Sequence, residues 1–192
     1  MKTRVGVLIS GRGSNLQALL DAGQDDYEIQ LVISNNADAQ GLERARKAGV
    51  EALVIDHRPF KNNREAFERE MDAVLGARNV EIVALAGFMR VLTSFFVRAW
   101  EGRLVNIHPS LLPKYRGVDT HARALEAGDT EAGCSVHLVT EGVDEGPVLG
   151  QARVPILPGD TPDTLAARVL EAEHKLYPEC LAKLARERFA TR

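Results

Sequence analysis

Short apolar runs alternate with longer amphipathic ones through most of this chain. "RVGVLIS" (residues 4–10) is a near-continuous apolar run of strand length. "SNLQALLDA" (14–22) follows it, with Leu16, Leu19 and Leu20 at helical spacing. "EIQLVIS" (28–34) predicts a second strand, "GLERARKAG" (41–49) a helix stopped by its glycine, and "EALVID" (51–56) a third strand. An amphipathic helix is expected over 64–75, strands over "EIVALAG" (81–87) and "GRLVNIH" (102–108), and a short helix between them at 93–99. A helix at 121–127 precedes two further strands, "CSVHLVT" (134–140) and "VLGQARVPI" (148–156). The last helix begins in "DTPDTLAAR" (160–168), where Thr161 can cap and Pro162 suits the first turn; a polar, basic tail ends the chain.

Strand–helix alternation of this kind predicts an α/β fold: one open, mostly parallel twisted sheet with helices on both faces. The apolar strands agree, since both sheet faces would be covered. The last two strands are joined by "EGVDEGP", too short for a helical crossover, so they should be antiparallel neighbours near the C-terminal edge. No internal repeat, linker or low-complexity block interrupts the pattern. In such sheets ligands gather beyond the carboxyl ends of the strands. The residues of interest should therefore follow strands, and they do.

A length of 192 residues suits a single domain, large enough for a core without staples. The net charge of −3 argues against a strongly basic nucleic-acid surface. Cys134 and Cys180 form no CxxC pair, which disfavours a disulfide framework or zinc cage and fits a reducing cytosol. Residues 5–9 are too short an apolar run for a signal peptide, and nothing approaches the roughly 20 apolar residues of a membrane span.

"ISGRGSNLQ" (9–17) joins the first strand to the first helix. Gly11 and Gly13 permit positive φ and close approach of a ligand to the backbone. With Ser14 and Asn15 at a helix start, the turn suits an anion such as a phosphate. A tight turn with an N-cap and no ligand accounts for the same residues. The sixth position of a GxGxxG fingerprint is Leu16 here, and no P-loop lysine follows. A single phosphomonoester therefore fits better than NAD or ATP.

"VNIHPSLLPKYRG" (105–117) places Asn106 and His108 two apart, before Pro109, at a strand's carboxyl end. Residues two apart on a strand face the same way. A His can move a proton near neutral pH, and an Asn amide can donate to a developing oxyanion. A capped strand end with two satisfied polar groups is the plainer alternative. "EGVDEGPV" (141–148) supplies Asp144 in a Gly-rich turn, where a carboxylate could stabilise an imidazolium; a routine hairpin Asp is the alternative there. His57, His121, His137 and His174 look less compelling. Without HxxxH spacing no metal site is expected.

Together "SGRGSNLQ", "ISN" with "GLERARKAG", "LAGFMRVL", "NIHPSLLPKYRG", "GCSVHLV", "DEGPVLGQ" and "EHKLYP" resemble the folate-dependent phosphoribosylglycinamide formyltransferase (glycinamide ribonucleotide transformylase) family over nearly the whole chain. The resemblance implies a Rossmann-like formyltransferase domain over 1–192. Its half 1–100 would bind the ribonucleotide phosphate, and its half 101–192 would hold catalysis and folate. The activity implied is transfer of the formyl group of 10-formyltetrahydrofolate, a co-substrate, to the amine of glycinamide ribonucleotide in purine synthesis. Asn106, His108 and Asp144 would be catalytic. Gly13, Ser14 and Asn15 would hold the phosphate, with Glu173 and the adjacent Leu170, Glu171 and Ala172 against the same substrate. The folate would lie along Met89, Arg90, Val91 and Leu92 and against Thr140, Glu141, Gly142, Val143 and Asp144, with Asn106 beside it and Arg64 at its glutamate tail. From the residues alone, strand-end packing for "GFMRVL" and a solvated helix start for Arg64 would be favoured. The resemblance further implies small-molecule substrates, no metal, no nucleic acid, no membrane and a cytoplasmic location; a homodimer is compatible with the sequence. In that family a His often stands where this chain has Asp119.

Three other readings compete. Methionyl-tRNA formyltransferase shares the Asn–His–Asp logic but normally adds a C-terminal tRNA domain and continues its loop as "GAAPI", where this chain has "GVDTHARAL". A formyltetrahydrofolate hydrolase typically carries a regulatory domain. A non-catalytic nucleotide-binding module could use the glycine turn alone, but would have no need of Asn, His and Asp together.

Overall fold

A computed structural model describes residues 2–22 and 25–190. β1 (Thr3–Ile9), β2 (Tyr27–Ser34), β3 (Glu51–Val54), β4 (Ile82–Leu85) and β5 (Leu104–His108) form parallel pairs. β6 (Glu131–Leu138) and β7 (Val148–Pro155) add antiparallel strands at one side. The result is a seven-stranded sheet in the order β3-β2-β1-β4-β5-β6-β7. It runs unbroken through both halves of the chain.

Helices cover the two faces. Val5, Val7 and Ile9 of β1 face α1 (Ser14–Asp21), α2 (Gly41–Lys47) and α6 (Pro162–Ala190) through Leu16, Leu42, Val169 and Leu181. Leu8 belongs to the opposite face, with Phe67, Met71 and Leu75 of α3 (Arg64–Ala77) and Phe96 of α4 (Ser94–Ala99). This is the period-two alternation of a strand buried on both sides. Gly6 lets α3 approach β1: a Cβ there would lie 2.5 Å from Leu75 Cδ2. α5 (Thr120–Glu126) precedes β6, and a single 3-10 turn (Arg58–Phe60) precedes α3.

The elements match the periodicity with local differences. The apolar stretch 81–87 shortens to β4, because the Glu81 carboxylate accepts the Arg4 N–H and Gly87 adopts φ 74. The final helix does not stop before the basic tail. It runs 29 residues, with Pro178 inside. An interior proline costs about 3 kcal/mol. Leu165, Val169, Leu176, Tyr177, Leu181 and Leu184 are all buried along this helix, at roughly 1.5–3 kcal/mol each. Burial of that stripe outweighs the proline. Its start is capped reciprocally, Thr164 N–H to Thr161 Oγ1 at 3.2 Å and Thr161 N–H to Thr164 Oγ1 at 2.9 Å. Among the described residues no helix is long and apolar enough to cross a membrane.

Candidate active site

β5 carries Asn106 and His108 on one face, as strand geometry requires. β6 runs antiparallel beside it, pairing Asn106 with His137 and His108 with Ser135. That register sets the Asn106 Nδ2 and His137 Nε2 atoms 3.3 Å apart. The chain then turns through 139–147 into β7. The turn is tight at Gly146, where a Cβ would overlap the Leu138 carbonyl oxygen. It presents Asp144, at φ 51, to the end of β5. Asp144 Oδ2 lies 3.5 Å from His108 Nδ1, and Oδ1 lies 3.6 Å from His137 Nε2. Thus Asn106, His108 and Asp144 converge, and His137 joins them.

Hydrogen bonds decide which ring nitrogens carry protons. A carbonyl only accepts, so His108 Nε2, 2.8 Å from the Tyr115 carbonyl, carries a hydrogen. His108 Nδ1 is then the ring nitrogen turned toward Asp144. His137 Nδ1 donates to the Leu138 carbonyl at 3.0 Å. Burial holds the His137 ring below its ordinary pKa, so Nε2 is a lone pair that accepts from the Asn106 amide. One amide N–H of Asn106 is thereby tied and its side chain oriented. From sequence alone His137 is among the less compelling histidines. Its signal was the alternation Ser135–His137 on a strand paired with Asn106–His108, which becomes visible only once the register is known.

The segment between β5 and α5 closes over this cluster. Gly117 N–H donates to Asp144 Oδ2 at 2.9 Å, and Arg116 pairs with Glu145 at 3.0 Å. Ser110 Oγ donates to the Lys114 carbonyl at 2.6 Å. His121, on α5, is held below its usual pKa by burial and then by the neighbouring His108. A cavity of about 390 Å³ lies behind the segment, with Tyr115 and His121 on its wall but none of Asn106, His108 and Asp144. His108 is buried beneath the segment, 6% exposed, and Asp144 is half-buried.

The glycine turn lies at the end of β1. Gly13 adopts φ 73, ψ 30 and caps α1 without a side chain. The first helical bond runs from Gln17 N–H to the Gly13 carbonyl at 2.8 Å. The N–H groups of Ser14, Asn15 and Leu16 thus lie ahead of the helical ladder, as at any helix start. Asn15 Oδ1 is buried without a partner, and the Asn15 side chain acts on the Glu173 carboxyl. Glu171 and Ala172 line a groove against β7 instead, with Gln151 and Val154, because successive helical residues are rotated by roughly 100°.

Burial pushes Glu173, 8% exposed, from 4.5 up to about 7, with Asn15 opposing the shift. Between those two values the folded chain binds this proton more tightly than the unfolded chain does. Stability due to Glu173 should therefore fall as pH rises through that window, and level off above it. Glu173→Gln removes the titration. At pH 8 it should raise stability by up to roughly 3 kcal/mol, and at pH 5 by far less. Urea unfolding at both pH values measures this; an equal effect at both would show that the carboxyl does not titrate there.

The other predicted ligand positions lie after β4, at the start of α3 and in the turn between β6 and β7. Met89 is 81% exposed, Val91 69% and Val143 61%. Leu92 packs partly into the α3–α4 core, and Arg90 is half-buried. Met89 N–H donates to Ser10 Oγ at 2.8 Å, which ties this segment to the end of β1. Arg64 Nη1 reaches the Val91 carbonyl at 3.5 Å. Glu68, buried on α3, accepts both Thr93 N–H and Thr93 Oγ1–H and so fixes the start of α4. Thr140 is exposed, Gly142 half-buried, and Glu141 pairs with Arg98 of α4. No group of three or more His, Cys, Asp or Glu suited to a metal occurs among the described residues.

Comparison with known proteins gives a consistent picture. The formyl transferase family model matches residues 3–181. The chain is 51% identical over 175 residues to phosphoribosylglycinamide formyltransferase of Escherichia coli, covering 90% of this chain and 82% of that protein. It is 55% identical over 189 residues to the trifunctional purine biosynthetic protein adenosine-3 of Drosophila pseudoobscura, covering 96% of this chain but spanning only 14% of that longer protein. Among solved structures, glycinamide ribonucleotide transformylase 1 of Symbiobacterium toebii superposes with a TM-score of 0.93 at 48% identity, covering 97% of this chain and 89% of the other.

Proposed function

This chain belongs to the formyl transferase family, and we propose that it transfers the formyl group of 10-formyltetrahydrofolate to the amine of 5′-phosphoribosylglycinamide. The products are formylglycinamide ribonucleotide and tetrahydrofolate. The observation that carries this reading is the convergence of Asn106, His108 and Asp144 at the carboxyl end of β5, in a chain half identical to a formyltransferase of that name.

The amine attacks the formyl carbon and forms a new C–N bond. Negative charge grows on the formyl oxygen, where the second Asn106 N–H donates. The bond from that carbon to N10 of the folate then breaks. The amine's proton leaves and N10 gains one; the His108–Asp144 pair is placed to relay it. His137 keeps the Asn106 amide oriented. The Gly13–Asn15 turn receives the phosphate, and Glu173 receives the sugar side of the same substrate. Exposed Met89, Val91 and Val143 offer apolar surface to the folate rings, with Arg64 for its carboxylates. Two buried free cysteines suit the cytoplasm.

Mixing the protein with glycinamide ribonucleotide and a formyl-folate, and following the absorbance of the deformylated folate, tests the reaction. Absence of turnover with both ligands bound would leave a binding module instead. A narrower test uses Gly13→Val. A Cβ at Gly13 would meet Gly41 Cα at 2.6 Å, at a φ of 73 that β-branched residues avoid. The expected result is a ribonucleotide KM raised far more than the folate KM, with stability lowered by roughly 1–3 kcal/mol. Equal rises in the two KM values would remove the phosphate from this turn.

A further inference from the structure

We propose that Arg44, on α2, is a positioning residue for the ribonucleotide phosphate: it holds the glycine turn so that backbone N–H groups of Arg12 and Gly13 face the ligand. The inference rests on the preceding reading of that turn as the phosphate seat.

Two carbonyls of the turn are drawn to α2. Arg44 Nε donates to the Arg12 carbonyl at 2.8 Å, and Gly41 N–H donates to the Gly11 carbonyl at 3.0 Å. In a trans peptide the C=O and the following N–H point in opposite directions. Drawing the Gly11 and Arg12 carbonyls toward α2 therefore turns the N–H groups of Arg12 and Gly13 away from it, toward the mouth of the turn. Those donors extend the row begun by Ser14 and Asn15 at the start of α1. Arg44 Nη1 also reaches Gln17 Oε1 at 3.4 Å, so one guanidinium braces the turn and the helix behind it.

The packing is built for this approach. Gly13 and Gly41 touch backbone to backbone: a Cβ on Gly13 would lie 2.6 Å from Gly41 Cα, and one on Gly41 would overlap Ile9 Cδ1. Gly41 and Arg44, three apart, share the face of α2 that meets the turn. Leu42 and Ala45, also three apart, form the buried stripe that seats α2 in the core. The helix is thus anchored without the guanidinium. Arg44 spends its bonds on an uncharged carbonyl and an uncharged amide rather than on a carboxylate. Its positive charge stays beside the turn, where it also favours an anion.

The test compares Arg44→Met and Arg44→Lys with the wild type. Lysine keeps the charge but lacks the planar fork that reaches Arg12 and Gln17 together. Arg44→Met should raise the ribonucleotide KM about tenfold to a hundredfold, and the dissociation constant for ribose 5-phosphate in parallel. The formyl-folate KM should move by less than about twofold, and Arg44→Lys should recover only a small part of the loss. Full recovery in Arg44→Lys would reduce the role to charge and overturn the proposal. So would equal rises in both KM values, which mark a general distortion. A wild type that forms no product, but whose ribose 5-phosphate binding both variants weaken, would sink the reaction and keep the clamp. Wild-type turnover with unchanged ribonucleotide KM in both variants would do the reverse.

Discussion

Replacing His108 with alanine should lower turnover by roughly 10²–10⁴-fold, the range for a positioned acid–base group. His108 is buried, and its Nε2–H is committed to the Tyr115 carbonyl. That leaves Nδ1, facing Asp144, as the ring nitrogen for proton exchange in the proposed transfer. Asp144→Asn tests the same unit without a cavity. The asparagine keeps the shape and can still accept the Gly117 N–H through its oxygen. It loses the charge that supports an imidazolium. Its loss should approach that of His108→Ala. Because the two act as a unit, the double variant should be hardly slower than the worse single variant. Both should unfold cooperatively. Turnover near the wild-type rate in either variant, or losses that multiply in the double variant, would exclude a shared proton relay.

Asn106→Ala should cost roughly 10²–10³-fold in kcat, as for other oxyanion donors. Here the geometry permits a sharper comparison. One N–H of the amide is held by the His137 lone pair, so the other is the one left to donate in the proposed transfer. Asn106→Asp preserves the shape, but puts a carboxylate beside the developing oxyanion and beside the His137 lone pair. It should be slower than Asn106→Ala. In both variants kcat and kcat/KM should fall together, since the interaction matures only in the transition state. Steady-state rates with each substrate varied in turn measure this. An Asn106→Asp variant faster than Asn106→Ala would point to a role other than donation.

Much of this was legible without coordinates. Apolar runs of strand length and helices at 3.6-residue spacing predicted the parallel sheet. The short connection "EGVDEGP" predicted the antiparallel pair that became β6 and β7. The spacing of Asn106 and His108 on a strand, and the place of Gly13 between strand and helix, were legible as candidates beside their plainer alternatives. The length of the last helix did not. Tail composition reads as polar, whereas the stripe from Leu165 to Leu184 becomes decisive only with a sheet to bury it.

What the sequence determined by itself was local: which segments are strands, which are helices, and which polar residues sit at strand ends. Periodicity and turn chemistry act over a few residues, so they can be read from neighbours. What only the tertiary structure decided was which of those residues meet. The β5–β6 register chose His137 as the partner of Asn106, and the turn at Gly146 carried Asp144 to His108. The approach of α2 over Gly13 set Arg44 against the glycine turn. Contacts between residues some thirty apart depend on strand register, loop closure and the packing of whole helices, and no local pattern encodes those distances.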